Sequence, residues 1–142
     1  MTNYEERRQF KRIADAFIVA YRFVSPSQAA GVTGPGEHEA VASDVSEGGV
    51  GLDIKWEIPS GVQLELRFKM FNEHSPTERG RRREIVVHSE TRHCRLVSKS
   101  NYRVGILFKN LSDHDREFIS NYVRDQTLAQ YGVYKQARPG KQ

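Results

Sequence analysis

The sequence predicts a mainly β protein: a small closed antiparallel β-barrel with a C-terminal α-helix and a flexible N-terminal arm. Short segments alternate apolar and polar residues with a period of two, which is typical of half-buried strands. Clusters of Gly, Pro, Ser, Asn and Asp separate them, and a helical period occurs only after Ser112. The 142 residues suit one domain with one core. We expect residues 1–12 to form the arm, 13–130 the barrel and helix, and 131–142 a disordered tail.

The predicted arm is polar and basic. Because Phe10 is its main apolar residue, we expect the arm to be mobile until a ligand binds. A second basic cluster lies in a polar loop predicted over residues 72–83. We expect this second cluster to be an exposed surface for an acidic partner. The two clusters are Arg7, Arg8, Lys11 and Arg12 in the arm, and Arg79, Arg81, Arg82 and Arg83 in the loop.

The first three predicted strands precede residue 55. Residues 17–24 carry apolar side chains on one face, namely Phe17, Val19, Tyr21 and Phe23. Residues 25–36 contain prolines and glycines and predict an exposed loop. Two further strands are expected near residues 39–43 and 50–54, on either side of a short glycine-rich turn.

The later strands show the clearest alternation. Residues 62–68 place apolar side chains on one face, namely Val62, Leu64, Leu66 and Phe68. Residues 85–89 and 92–97 predict two strands that pair with each other. Residues 102–108 alternate again, and Gly105 interrupts their outer face, where we expect another group to pack closely. Six or seven strands are therefore predicted.

A C-terminal helix is predicted from its first turn and its apolar period. Ser112 and Asp115 have the spacing of a capping box, in which each side chain bonds the other residue's backbone N–H. The apolar residues that follow recur at helical spacing, namely Phe118, Ile119, Tyr122 and Val123. Gly132 is the expected end of the helix.

The glycine-rich turn, residues 44–52, combines an acid, a hydroxyl and three glycines. Glycine reaches positive φ and allows another backbone or a ligand to approach closely. A tight turn between strands and a ligand-cradling turn both fit this composition. The cradle requires positive charge from elsewhere in the chain, and the arm supplies it.

Two motifs in this order resemble the signature of the PilZ domain family. Arg8 and Arg12 form an RxxxR pattern, and Asp44, Ser46 and Gly49 form a DxSxxG pattern. Supporting similarities are Pro59-Ser60-Gly61 before a strand, Val104-Gly105-Ile106-Leu107-Phe108, and a helix opening at Leu111-Ser112. The resemblance covers roughly residues 5–126 and implies a six-stranded antiparallel barrel with a C-terminal helix. It also implies binding of the bacterial second messenger cyclic di-GMP.

The resemblance carries a set of ligand-binding residues over to this chain: Arg7, Arg8, Arg12, Asp44, Ser46, Gly48 and Gly49. Arg7 precedes RxxxR at a position that resembles a determinant of whether one ligand or a stacked pair binds, and the number of ligands stays open. Some family members have a Trp on a late strand near the ligand. Trp56, the only Trp here, lies early and is not assigned to the site.

The chemistry of cyclic di-GMP suits these side chains. The ligand is a dianion with two guanines, and an arginine can donate two parallel hydrogen bonds or stack on a base. Asp44 would accept from guanine N1–H and N2–H₂, donors that adenine lacks in that arrangement. Ser46 would donate to a phosphate or base acceptor, and Gly49 would permit close backbone approach.

Two other functions have weaker support in the sequence. A small basic barrel can bind single-stranded nucleic acid, but the net charge of +4 is modest and no aromatic ladder is visible. An enzyme would need grouped catalytic residues or metal ligands, whereas His38, His74, His88, His93 and His114 are scattered and Cys94 lacks partners at metal-ligand spacing. We therefore expect a receptor without catalysis, metal or cofactor, with nucleic acid an unlikely partner.

The cellular setting follows from coarse features of the sequence. One cysteine excludes an internal disulfide, and neither a signal peptide nor a membrane span is visible. We expect a cytoplasmic bacterial protein. Because no output domain accompanies the barrel in this sequence, its effect should pass to an unidentified downstream protein. The oligomeric state stays open.

Overall fold

The computed structural model describes residues 13–24, 36–78 and 80–136, so the predicted arm and residues 137–142 lie outside the described part. The elements are the strands β1 (Ile13–Phe23), β2 (Glu37–Val45), β3 (Gly49–Ile54), β4 (Gln63–Phe71), β5 (Arg82–Ser98) and β6 (Asn101–Phe108), and the helix α1 (Asp113–Gln136).

The six strands close into a barrel in the order β1-β2-β3-β6-β5-β4. Every neighbouring pair is antiparallel, and β1 completes the circle by pairing with β4, where Tyr21 lies opposite Leu66. Closure gives each of the six strands two hydrogen-bonded neighbours. The predicted fold class, a mainly β six-stranded barrel with a C-terminal helix, is confirmed.

The apolar faces predicted for the strands form the barrel core. On β4, Leu64, Leu66 and Phe68 are buried, and Met70 continues the same face. The inward faces of β1 and β6 also agree with the prediction, since Val19 and Tyr21 are buried and so are Val104, Ile106 and Phe108. Each fully buried side chain of this size contributes about 1.5–3 kcal/mol from removal of its apolar surface from water.

The prediction of two short paired strands over residues 85–97 is wrong. These residues form β5, one 17-residue strand that pairs first with β4 and then with β6. Ser89 and Thr91 are buried and extend the inward alternation of Ile85 and Val87. The register shifts between Thr91 and His93, so the irregularity is a bulge within one strand instead of a turn.

The helix α1 begins as predicted but ends later. The Ser112 hydroxyl accepts a hydrogen bond from the Asp115 backbone N–H at 3.1 Å, as expected of an N-cap. The helix continues to Gln136, so the expected end at Gly132 is wrong. A glycine inside a helix costs only about 1 kcal/mol, and the next proline is Pro139.

The antiparallel order places one group of segments at the same end of the barrel, here called the turn end. The first residue of β1, the last residues of β2, β4 and β6, and the turn over residues 46–48 all lie there. The helix follows β6 at this end, and its predicted apolar face is buried in the core, namely Phe118, Ile119, Tyr122 and Val123. Trp56 follows β3 at the opposite end.

Candidate ligand-binding site

The β2–β3 turn is stabilised by its own backbone and by Ser46. The Ser46 N–H donates to the Gly49 carbonyl at 2.9 Å, and the Gly48 N–H donates to Ser46 Oγ at 3.1 Å. Ser46 is buried, with 2% of its surface exposed. The tight-turn interpretation therefore describes the local geometry. The Ser46 hydroxyl is an acceptor inside the turn and retains one O–H with which to donate.

Gly49 is required by the neighbouring strand. A Cβ on Gly49 would overlap the carbonyl oxygen of Ile106 on β6, and the Phe108 N–H donates to the Gly48 carbonyl at 2.9 Å. Positive φ is not the reason for Gly49, because Gly36 and Gly61 are the glycines with positive φ among the described residues. The close approach expected at Gly49 is therefore made by the β6 backbone.

Asp44 lies on the outer face of the barrel, immediately before the buried Val45. It pairs with Gly51 of β3, after an irregularity in the pairing between Ala42 and Asp44. A Cβ on Gly51 would lie 3.1 and 3.2 Å from the two Asp44 carboxylate oxygens. The carboxylate therefore lies over the Gly51 backbone, where a Cβ would be in tight contact with it.

The point where the arm enters the barrel is adjacent to Asp44. Ile13, the first residue of β1, pairs with Val45, and Ala14 pairs with Asp44. Arg7, Arg8 and Arg12 lie outside the described residues.

The helix α1 borders the turn on a third side. Glu47 and one face of α1 enclose a groove of about 210 Å³. The helical residues of the groove are Ser120, Val123, Arg124, Thr127 and Leu128. Sequence analysis missed this contact, because the angle at which a terminal helix packs leaves no local signal.

Two polar contacts attach α1 to the strands β4 and β5. Asn72, fully buried after β4, donates through Nδ2 to Asp125 Oδ2 at 3.0 Å. Arg83 Nε donates to Asp115 Oδ1 at 2.5 Å. Burial acts to raise the pKa of Asp125, but the hydrogen bonds from Asn72 and Arg124, together with the electrostatic effects of Arg124 and His74, lower the pKa below its ordinary value.

The second basic cluster is only partly a free surface. Arg83 forms an ion pair with Asp115, and Arg81 donates from Nε to the Ser75 carbonyl at 3.2 Å. Arg82 lies over the ring of Phe71, and both Arg81 and Arg82 remain exposed. Their role toward an acidic partner stays a prediction.

The described part of the chain offers no metal-binding cluster. It contains no group of three or more His, Cys, Asp or Glu side chains that could hold a metal ion. Over the same residues, no helix is both long and apolar enough to cross a membrane.

Comparison with known proteins settles the family. The pattern of the PilZ domain family matches residues 6–125, which include both sequence motifs, the barrel and half of the helix. The chain belongs to the PilZ domain family. The resemblance drawn from the two motifs is therefore confirmed.

Several solved structures share this fold. The inhibitor of motility MotI/DgrA of Bacillus subtilis is 17% identical, with a TM-score of 0.67 over 87% of this chain and 52% of that one. YcgR of Escherichia coli in complex with c-di-GMP is 13% identical, with a TM-score of 0.62 over 93% and 51%. The PilZ domain of YcgR with c-di-GMP is 12% identical, with a TM-score of 0.54 over 95% and 97%.

This PilZ chain spans about half the length of MotI/DgrA and of full YcgR. A search of curated protein sequences finds no match. At these identities the structural similarity establishes the fold.

Proposed function

We propose that this PilZ protein is a receptor for cyclic di-GMP. The observation that carries the proposal is the register of β1 on β2, in which Ala14 lies opposite Asp44. This register brings Ile13, the residue that follows the RxxxR motif in the sequence, opposite Val45 inside the DxSxxG motif. We expect the two motifs, more than 30 residues apart in the sequence, to meet on the ligand at this end of the barrel.

The chemistry of the turn suits one guanine and one phosphate. The Asp44 carboxylate, held at the barrel surface over Gly51, is an acceptor pair for guanine N1–H and N2–H₂. Arg8 and Arg12 would donate to phosphate oxygens and to guanine O6 and N7, and Arg7 would stack on a base. Ser46 would add its remaining O–H, and the backbone of Gly48 would lie close to the ligand, while Gly49 allows the turn to pack against β6.

The proposed signal is an ordering of the arm. Arginines in residues 1–12 repel one another until an anion neutralises them. The ligand would then join arm and barrel, because each holds part of it, and the segment would pass from disorder to order. The surface so formed, with Phe10 newly placed, is what an unidentified downstream protein would recognise. The protein acts in this proposal as a non-catalytic receptor in the bacterial cytoplasm, a location that rests on the ligand alone.

Calorimetric titration tests the ligand and its site. We expect Arg8→Ala and Arg12→Ala each to abolish measurable cyclic di-GMP binding while circular dichroism shows an intact barrel, because each charge-assisted contact contributes about 1.5–3 kcal/mol. Cyclic di-AMP should bind far more weakly than cyclic di-GMP, since Asp44 would face no matching donors. Wild-type affinity in either arginine variant would refute the site.

A short single-stranded oligonucleotide, titrated at two salt concentrations, serves as the competing ligand. Salt-sensitive binding of the oligonucleotide without binding of cyclic di-GMP would favour the nucleic-acid function instead. Backbone NMR relaxation tests the switch. Residues 5–12 should be mobile in the free protein and rigid at saturating ligand, and rigidity in both states would contradict it.

A further inference from the structure

The hairpin formed by β5 and β6 extends past its neighbouring strands at the end of the barrel opposite the turn end. On one side, β4 begins at Gln63, opposite Glu90, whereas β5 continues to Ser98. On the other side, β3 ends at Ile54, opposite Tyr102 of β6. The end of the hairpin, residues 96–101, is here called the hairpin tip.

The apolar side chains of the hairpin tip are exposed because the barrel core ends before them. Cys94 and Tyr102 are the hydrophobic hairpin residues nearest the tip that pack against the core. Beyond them, Leu96 has 60% of its surface exposed and Val97 has 44%. The hairpin turn over residues 99–100 follows directly, so these two side chains lie at an outer edge of the molecule.

Trp56 lies at the same end of the barrel as the hairpin tip. It follows Ile54 by two residues, and Ile54 pairs with Tyr102, which pairs with Leu96. Neighbouring strands are about 4.8 Å apart, so the backbones of β3 and β5 are about 10 Å apart here. The Trp56 ring contacts His38, with 6.4 Å between the ring centroids, and 39% of Trp56 remains exposed. Trp56 can therefore contact the same external surface as the hairpin tip.

Basic side chains accompany these apolar ones. Lys55, Arg95 and Lys99 are exposed, and none of them forms an ion pair with another residue of the ranges 13–24, 36–78 and 80–136. Glu57 is the exposed acid beside Trp56, and the basic side chains outnumber it. The surface is therefore apolar with a positive border, which is complementary to a partner that is apolar beneath a negative surface.

The exposed aliphatic side chains distinguish a lipid bilayer from a nucleic acid. Proteins bind single strands by stacking bases on aromatic rings within a basic groove, which gives Leu96 and Val97 no partner. At a bilayer surface, aliphatic side chains enter the boundary between headgroups and acyl chains, and a tryptophan ring lies at the level of the headgroups. Lysine stems cover apolar surface while their ammonium groups reach the headgroup phosphates.

We infer that Trp56 and the hairpin tip form a docking surface for an anionic lipid bilayer. Leu96 and Val97 enter the bilayer surface, and Lys55 and Lys99 bind lipid phosphates. The turn end, with its candidate ligand-binding site, then faces away from the bilayer. This inference is independent of the proposed function, since it uses neither the β2–β3 turn nor residues 1–12.

Fluorescence of Trp56 tests this inference directly, because Trp56 is the only tryptophan of the chain. The 142-residue protein is titrated with vesicles of phosphatidylglycerol and, as the neutral control, with vesicles of phosphatidylcholine. We expect the emission to shift to shorter wavelength, and quenching by acrylamide to decrease, with phosphatidylglycerol alone. An unchanged spectrum, or equal shifts with both lipids, would overturn the inference.

Variants of the hairpin tip have matched controls elsewhere on the barrel. Leu96→Ser combined with Val97→Ser should weaken vesicle binding at least about tenfold, because less apolar surface leaves water on binding. Lys99→Ser should weaken it about fivefold, as expected for one basic residue at an anionic surface. Ile18→Ser and Lys69→Ser should stay within about twofold, since both residues are exposed on strands outside the hairpin.

Two polyanions without acyl chains separate a bilayer from other acidic partners. A single-stranded oligonucleotide and polyglutamate should leave the emission maximum of Trp56 in place, because neither offers an apolar layer. A shift with either one that equals the shift with phosphatidylglycerol would assign the surface to a nucleic acid or an acidic protein instead. Wild-type vesicle binding in the Leu96→Ser, Val97→Ser variant, with an intact barrel by circular dichroism, would also overturn the inference.

Discussion

Gly49→Ala should destabilise the barrel because the added methyl group meets backbone. Its Cβ would overlap the Ile106 carbonyl oxygen, so β3 and β6 must separate locally. Overpacking of this kind costs about 1–3 kcal/mol. Two adjacent hydrogen bonds, Ser46 N–H to the Gly49 carbonyl and Phe108 N–H to the Gly48 carbonyl, would weaken at about 1 kcal/mol each. We expect a total loss of about 3 kcal/mol or more in the free energy of unfolding.

Gly51→Ala is the matched control, because its new Cβ meets a side chain. The Asp44 carboxylate, at 3.1 and 3.2 Å, needs to shift by only a few tenths of an ångström, and alanine in a strand regains about 0.5–1 kcal/mol relative to glycine. We therefore expect stability within about 1 kcal/mol of wild type and a clear loss of cyclic di-GMP affinity.

Urea denaturation followed by circular dichroism measures the difference between the two variants. A loss of about 3 kcal/mol corresponds to a fall in Tm of roughly 10 °C for a domain of this size. The reasoning is refuted if Gly49→Ala stays within about 1 kcal/mol of wild type, or if Gly51→Ala is equally destabilised.

Three further predictions concern single contacts. Tyr21→Phe should leave the free energy of unfolding unchanged or raise it by about 1 kcal/mol, since the buried Tyr21 hydroxyl lacks a hydrogen-bond partner among the described residues, and a loss above 1 kcal/mol would contradict this. Asn72→Ala should cost about 1–3 kcal/mol by releasing Asp125. Because the folded state lowers the pKa of Asp125, its stabilising contribution is present above the ordinary value of 3.8 and is lost as the pH falls through the lower folded value. The loss of unfolding free energy that Asp125 causes at low pH should be smaller in Asn72→Ala than in the wild type. Urea titrations below pH 5 would measure this difference. Replacing the exposed Arg81 and Arg82 with Ser should leave cyclic di-GMP affinity within a factor of a few, and a loss comparable to Arg8→Ala would place this loop in the site.

Local patterns were sufficient for most elements of the fold. Alternation is a property of consecutive residues, so the inward faces of β1, β4 and β6 were readable before any pairing was known. The same holds for the Ser112 cap and the apolar face of α1. The wrong predictions concern positions at which the local sequence is compatible with two different structures. A polar step at Ser89 to Thr91 looks like a strand end, yet both side chains are buried, and Gly132 is tolerated within the helix.

The amino-acid sequence by itself determined the two motifs, their order and the mainly β class, because spacing and period are written along one chain. Only the tertiary structure decided which backbone approaches Gly49, that Trp56 and the hairpin tip lie at one end of the barrel, and that Asn72 holds α1. These features depend on the pairing of β3 with β6 and on the packing of α1 at the turn end. The physical reason is that alternation specifies the face of a strand but not its partner. Partners distant in sequence are selected by burial of the whole core and by closure of the barrel.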